Sequence, residues 1–330
     1  MESQATINEL KIGEKLDHFL LLAKLEIKQT KTGKNYLDID LKDKSSVING
    51  KVWDGFEKFL TTAQVGSVVK VTGTVEEFNS QKQLRIVSIR SAEEDDDVSA
   101  DDFIPRSLRN LDEMLQELKS VINSVDNPYL NKLITTIILE ERFSKYTRVP
   151  AGKAWHHAYL HGLLEHTLEI VKICDLMCRI HKSLNRDLLI SGALLHDLGK
   201  TEELKDDASF DYTDKGKLIG HIVMAATEIE IQAGKIEGFP EDLKNQLIHL
   251  VLSHQGKLEY ASPVEPKTVE AIVLYQADEL SAKTNAYLSA VKIDKENETG
   301  WTRYLPLAGT SLKLPDKKEN NDDIKTSLFD

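Results

Sequence analysis

Apolar and polar positions alternate through five short runs between residues 16 and 90: LDHFLLLAKLEIKQT, NYLDIDLKD, SVINGKVWD, SVVKVTGTVEEF and QLRIVSIR. Such runs read as β-strands. Thr32-Gly33-Lys34 and Asn79-Ser80 supply turn signals between them, and Asn49-Gly50 reads as a bulge inside its own run. From Ser107 onward the period becomes helical. LDEMLQELKSVINSV, NPYLNKLITTIILEERFSKY, LLEHTLEIVKICDLMCRIHKSL, RDLLISGALLHDLGK, LIGHIVMAATEIEIQAG, EDLKNQLIHLVLSHQG and KTVEAIVLYQADELSAKTNAYLSAV are long and amphipathic. Asn127-Pro128 suits a helix start with proline in the first turn. Gly199 reads as a helix stop, with Lys200 at the negative end of the helix dipole.

A helix-like segment, GFEKFLTTAQ at residues 55–64, separates the third and fourth strand runs. Five strands with a helix between three and four are the layout of an OB-fold barrel, and the segment resembles OB modules that bind tRNA anticodons and other single strands. Strands two and three would then present Lys34, Tyr36, Lys51 and Trp53 outward, combining base stacking with phosphate attraction. The alternative places Tyr36 and Trp53 in the barrel core. The stretch EEDDDVSADD, residues 93–102, has seven acidic residues in ten and reads as a solvated spacer. A chain of 330 residues is long for one domain. The predicted division is an all-β OB-fold over 1–92, an acidic linker over 93–106, an all-α bundle over 107–315 and a disordered polar tail over 316–330.

Net charge is −12, which argues against a surface coated for duplex binding. The charge is uneven. Residues 11–90 hold 14 Lys/Arg against 10 Asp/Glu, a local +4 that leaves −16 elsewhere, so a mildly basic module adjoins an acidic body. No apolar run reaches the roughly 18 residues of a membrane helix, and the N-terminus lacks a signal-peptide layout. Cys174 and Cys178, four apart, read as buried thiols. The chain reads as cytoplasmic, with no membrane partner.

Nine of the ten histidines lie between residues 156 and 254. A lone histidine on an apolar face is most simply a hydrogen-bonded core residue. Here His166, His196-Asp197, His221, His254 and Asp278 all fall in or beside apolar helical segments, so consecutive helices would project nitrogen and oxygen ligands into one interior. Imidazole with carboxylate and without thiolate suits Mn²⁺, Fe²⁺, Co²⁺, Ni²⁺ or Zn²⁺. Adjacent residues on a helix diverge by about 100°, so His196 and Asp197 are expected to straddle a two-ion centre with the carboxylate bridging.

H…HD…D is the signature of the HD phosphohydrolase superfamily, and His166, His196, Asp197 and Asp278 match it in order. His221 and His254 resemble the second-metal ligands of its dinuclear members. More narrowly, HHAYLHGLLEHT, LNRDLLISGALLHDLGK, LIGHI, VLSHQGKLEYASP and ADELSAKTNAY resemble the YhaM family, bacterial 3′→5′ exoribonucleases that join an OB domain to an HD domain. The resemblance runs from the barrel to about residue 315. One departure bears on the second metal site: the family usually reads SHHG where this chain has Ser253-His254-Gln255-Gly256.

The resemblance implies a metal-dependent exonuclease on single-stranded RNA, with single-stranded DNA also admitted, releasing nucleoside 5′-monophosphates. It implies two divalent ions, Mn²⁺ foremost, with Asp197 as the catalytic bridging carboxylate. Lys200 and Lys153 are candidate phosphate contacts, and His157 and His161 candidates to touch substrate or protonate the leaving oxygen. Lys283 and Asn285, on the helix after Asp278, are placed to face the phosphate. Each has a plainer alternative: a helix cap for Lys200, structural hydrogen bonds for the histidines, an exposed helix face for the last two. Two other functions stay open, namely an HD hydrolase of nucleotides or cyclic dinucleotides and a nucleic-acid-binding regulator with a structural metal. A homo-oligomer is also compatible with the sequence.

Overall fold

The computed structural model describes residues 4–153, 155–205, 210–295 and 297–315; the tail expected to be disordered lies outside them. Strands β1 (Lys15–Gln29), β2 (Asn35–Lys42), β3 (Val47–Val52), β4 (Val68–Phe78) and β5 (Gln81–Ser91) close into a barrel in the order β1-β2-β3-β5-β4. Only β3 and β5 pair in parallel; the other neighbours are antiparallel. Alternation dictates which side chains fill it. Leu37, Ile39 and Leu41 of β2 and Ile48 and Val52 of β3 point inward, joined by Phe56 and Phe59 from around α1 (Glu57–Leu60). That is the expected OB layout.

Gly50 is not a bulge. It pairs in register with Ile39 and Leu84, and a Cβ there would lie 2.6 Å from the Ile86 side chain. The small residue is required by packing across the barrel. The register shifts fall between Leu22 and Lys24 and between Thr72 and Gly73. Asn79 and Ser80 both have positive φ, 52° and 61°, the conformation of a two-residue hairpin that follows the twist of β4 and β5.

The remainder is helical: α2 (Leu111–Asn123), α3 (Pro128–Ile134), α4 (Phe143–Arg148), α5 (Gly162–Ile180), α6 (Arg186–Leu195), α7 (Lys200–Glu203), α8 (Asp214–Ile219), α9 (His221–Gly234), α10 (Glu241–Ser253) and α11 (Val269–Ile293). Asn127 caps α3 through Tyr129 and Leu130 N–H, with Pro128 in the first turn. The single helix expected over 127–146 is broken by a π-helical stretch, Thr135–Glu141, which begins with the β-branched run Thr135-Thr136-Ile137-Ile138. Central helices α5 and α6 bury Leu164, Leu168, Leu189 and Leu194 in the main core. Cys174 and Cys178 are buried there as free thiols.

The acidic stretch after the barrel is mostly exposed but is tied down at two points. Arg90 grips Asp96 through both guanidinium nitrogens, and Arg148 grips Asp101 in the same way. Phe103 and Ile104 join Leu21 and Val68 of the barrel and Leu160 and Phe210 of the helical part in one buried cluster. Two of its seven carboxylates, Asp96 and Asp101, are paired with arginines, while the apolar residues that follow, Phe103 and Ile104, dock in the seam.

Candidate metal centre

Helix α6 ends at Leu195, so His196 and Asp197 sit in the turn before α7. His196 keeps helical dihedrals, φ −55° and ψ −42°, yet its Nε2 lies 3.3 Å from Asp197 Oδ2, closer than divergence along a helix led one to expect. Gly199 is not a left-handed helix stop either. Its φ is −61°, and its role is clearance: a Cβ there would lie 2.0 Å from the His221 carbonyl oxygen. The first residue of α9 is thereby seated against the turn.

Asp197 is the hub. Its Oδ2 faces His196 and, at 3.9 Å, His166 Nε2, which in turn is 3.0 Å from Asp278 Oδ1. Its Oδ1 faces His221 Nε2 at 3.4 Å and His254 Nε2 at 3.6 Å. Two clusters, His166–His196–Asp197 and Asp197–His221–His254, thus share one carboxylate.

Each imidazole is held by its other nitrogen. His196 Nδ1–H donates to Ala193 O and His254 Nδ1–H to Val251 O, while Glu203 Oε1 accepts from His221. His166 donates to Ser281 Oγ, which donates to Glu169. Such partners fix the ring so that Nε2 aims at a ligand. The Nε2 atoms of His166, His196 and His221, and Asp197 Oδ1, are buried without a hydrogen-bond partner. Burying them so would cost several kcal/mol, and divalent cations held by the two clusters would satisfy them. Burial and the neighbouring His196 push His254 down to about 4 and His166 well below its usual value, leaving neutral lone pairs for a metal. His196 departs upward: burial opposes its charge, but Asp197 outweighs burial. Burial likewise opposes ionisation of Asp197, yet Lys200 and His196 hold it well below the usual carboxylate range.

Comparison with known proteins places this centre. Residues 163–283 match the family described as HD domain, and residues 24–92 the OB-fold nucleic acid binding domain. The chain is 34% identical over 287 residues to the 3′-5′ exoribonuclease YhaM of Geobacillus sp. (strain WCH70), covering 87% of this chain and 88% of that protein. It is 33% identical to the Bacillus subtilis (strain 168) protein of the same name, covering 87% and 91%. Against that of Listeria monocytogenes serotype 4b (strain CLIP80459) it is 34% identical, covering 88% and 92%. The chain belongs to the YhaM family. All six residues around Asp197 fall inside the HD match, and membership in this YhaM group of HD proteins implies a divalent metal.

The remaining candidates divide. Lys200, expected at a helix end, is buried: its ammonium donates to Asp197 Oδ2 at 2.6 Å and to Ala151 O. It is neither a solvated cap nor free. Lys153 reaches the edge of a cavity beside Lys200 but pairs with Asp211 at 2.5 Å, and Lys283 lines a second cavity while paired with Glu279. Asn285 does not face that space. Its Oδ1 accepts from His157 N–H and its amide donates to Tyr159 OH, so it holds the 156–161 loop. His161 donates to Thr147 O beside the Arg148–Asp101 pair, away from the centre. His157 is fully buried with its Nε2 3.3 Å from Glu169. The neighbouring His156 lines both cavities, a role the His-His dipeptide hinted at without saying which ring turns inward. Glu203 was invisible in sequence, an ordinary acidic residue in KTEEL. Gln255 places its amide 3.2 Å from His254 Nε2, against the lone pair of a second-cluster ligand.

On the barrel, Tyr36 and Trp53 are surface residues, not core. Their rings stack at 4.8 Å between centroids, with Trp53 39% exposed. Lys51 sits 5.7 Å from the Tyr36 ring and 5.1 Å from that of Phe78, itself 55% exposed. Lys34 pairs with Asp54 at 2.7 Å. Among the described residues no helix is long and apolar enough to cross a membrane.

Proposed function

We propose that this chain is a metal-dependent 3′→5′ exonuclease that hydrolyses single-stranded RNA to nucleoside 5′-monophosphates in the cytoplasm. The observation that carries the reading is the Asp197 carboxylate, one oxygen toward His166 and His196 and the other toward His221 and His254. That arrangement supports two ions, with Mn²⁺ first among those the donor set suits. Divalent cations held there supply Lewis acidity toward the scissile phosphate. Lys200 holds the carboxylate oriented and adds fixed positive charge where the phosphate must sit. His156 lines both cavities; burial and the neighbouring His166 push it down to about 2, so it is a neutral part of the wall and does not replace His157 as proton donor to the leaving oxygen. The barrel, residues 1–92, grips the strand upstream, and residues 107–315 carry the chemistry. Single-stranded DNA offers the same phosphates and is included in the proposal.

A 5′-labelled oligoribonucleotide with Mn²⁺ should give a descending ladder, and a covalently closed single-stranded circle should persist. Cleavage of the circle would make the protein an endonuclease; retained binding with no cleavage at all would make it a regulator.

The barrel face gives a second expectation. Trp53→Ala should weaken binding of a single strand by about 5- to 150-fold, the value of about 1–3 kcal/mol per stacked base. Lys51→Ala should flatten the salt dependence of binding by about one unit of slope. Fluorescence anisotropy across a salt series reads both, and an unchanged affinity for Trp53→Ala would remove this face from the binding path.

A further inference from the structure

Two cavities open on the metal centre. The larger, about 580 Å³, is lined by Lys153, Glu203, Tyr212 and His221; the smaller, about 310 Å³, by Asp197, His254, Tyr260, Tyr275 and Asp278. Trp155, His156 and Lys200 line both, so these side chains form the wall between them. The larger cavity lies on the barrel side, because Tyr212 is two residues from Phe210, which packs against Leu21 and Val68 of the barrel. The smaller is walled by α11 and by Leu307. Its volume is at the lower end of the roughly 300–1,000 Å³ of ligand clefts.

The aromatic residues of the smaller cavity are built for a flat ring. Tyr260 is 49% exposed although it lines a cavity, and Lys257 sits 5.3 Å from its ring. Gly256 has φ +78°, and a Cβ there would fall 2.2 Å from Tyr275, so the backbone lies directly on that ring and holds it in place. Trp155, 47% exposed, closes the wall. Exposed rings beside a phosphate-cleaving centre suit base stacking, which every base satisfies.

We propose that the smaller cavity seats the base of the 3′-terminal nucleotide against Tyr260 and Tyr275, while the penultimate nucleotide occupies the larger one. The phosphate joining them then lies at Lys200, which lines both cavities, beside Asp197 of the smaller one, and one nucleotide is released per cut. This assignment rests on the exonuclease reading above. It gives the strand a direction, from the barrel past Tyr212 and over the Trp155–His156 wall to its end.

The test is binding of 5′-fluorescein oligoribonucleotides to the full chain in chelator, where no hydrolysis occurs. Three oligomers are compared: intact, abasic at the 3′-terminal position and abasic at the penultimate position. Tyr260→Ala, a change at an exposed ring, and the terminal abasic site should each raise Kd by about 5- to 150-fold, yet together no more than either alone. Tyr260→Ala and the penultimate abasic site should instead multiply. Multiplicative effects at the terminal position would overturn the assignment, as would equal affinity of the variant for the intact oligomer. Non-additivity at the penultimate position would reverse the order of the two cavities. Shortening of the intact oligomer by the wild type with Mn²⁺ is scored separately. Its absence would defeat the exonuclease reading while the binding pattern still decides what the cavity holds.

Discussion

Asp197→Asn should lower the single-turnover rate of RNA shortening by about a thousandfold or more, with the metal content of the purified protein falling below that of the wild type. Asparagine keeps the shape of the side chain but leaves one neutral oxygen where two charged ones faced four imidazoles. Several kcal/mol of transition-state charge stabilisation depend on the ions that the carboxylate holds, and each 1.36 kcal/mol is tenfold in rate. The folded state should survive, because the ring-holding bonds at Ala193, Val251, Glu203 and Ser281 do not involve Asp197. Rapid-quench rates, elemental analysis and a melting curve read the three parts. A variant with unchanged rate and unchanged metal would refute the shared-carboxylate centre.

Gly199→Ala should act on the second cluster from outside it. The added methyl would start 2.0 Å from a backbone carbonyl at His221, which no rotamer change relieves. Overpacking of this kind costs about 1–3 kcal/mol, and the relief available is a shift of α9, which carries His221 away from Asp197. We expect a lower melting temperature, loss of the ion on the His221–His254 side and a drop in activity of about 10- to 100-fold, the range seen when ligand orientation is lost. Gly234→Ala, on the same helix with nothing within 4 Å of the added carbon, should be silent. Equal metal content in both variants would mean that the contact at Gly199 does not position His221.

Much of this was legible in the chain because alternation and helical periodicity report burial directly. The barrel strands fall where those patterns put them, and the six candidate ligands come together around Asp197. Chain direction was harder to read. Nothing in LLHDLGK marks Leu195 as the last helical residue, so His196 and Asp197 were expected to straddle the centre rather than to lie 3.3 Å apart. For Lys200 the sequence left a phosphate contact and a solvated helix cap both open; its burial against Ala151, distant in sequence, is what the cap alternative missed. Asn285 and His161 share the composition of site residues, but hydrogen bonds to His157 and Thr147 spend them on loop geometry. Conversely His156 and Glu203 carry no sequence signature apart from proximity, since what makes them relevant is which way a loop and a short helix turn. How the acidic stretch is anchored was hidden for a related reason: charge density is local, whereas Arg148 and the apolar partners of Phe103 come from elsewhere.

That seam between barrel and helices has a kinetic corollary. Because Phe103 and Ile104 are buried together with Leu21 and Val68 on one side and Leu160 and Phe210 on the other, the barrel and the helices are clamped together beyond the exposed acidic stretch, and the stacking face and the candidate metal centre are held at a set distance. On the proposed strand path an RNA must therefore bridge a constant span to touch both. Digestion should run processively while the remaining oligomer exceeds that span and turn distributive at one length, leaving a product band set by the protein's own dimensions rather than by RNA sequence. Lengthening the connector with a flexible glycine–serine insert after Asp97 should blur that band.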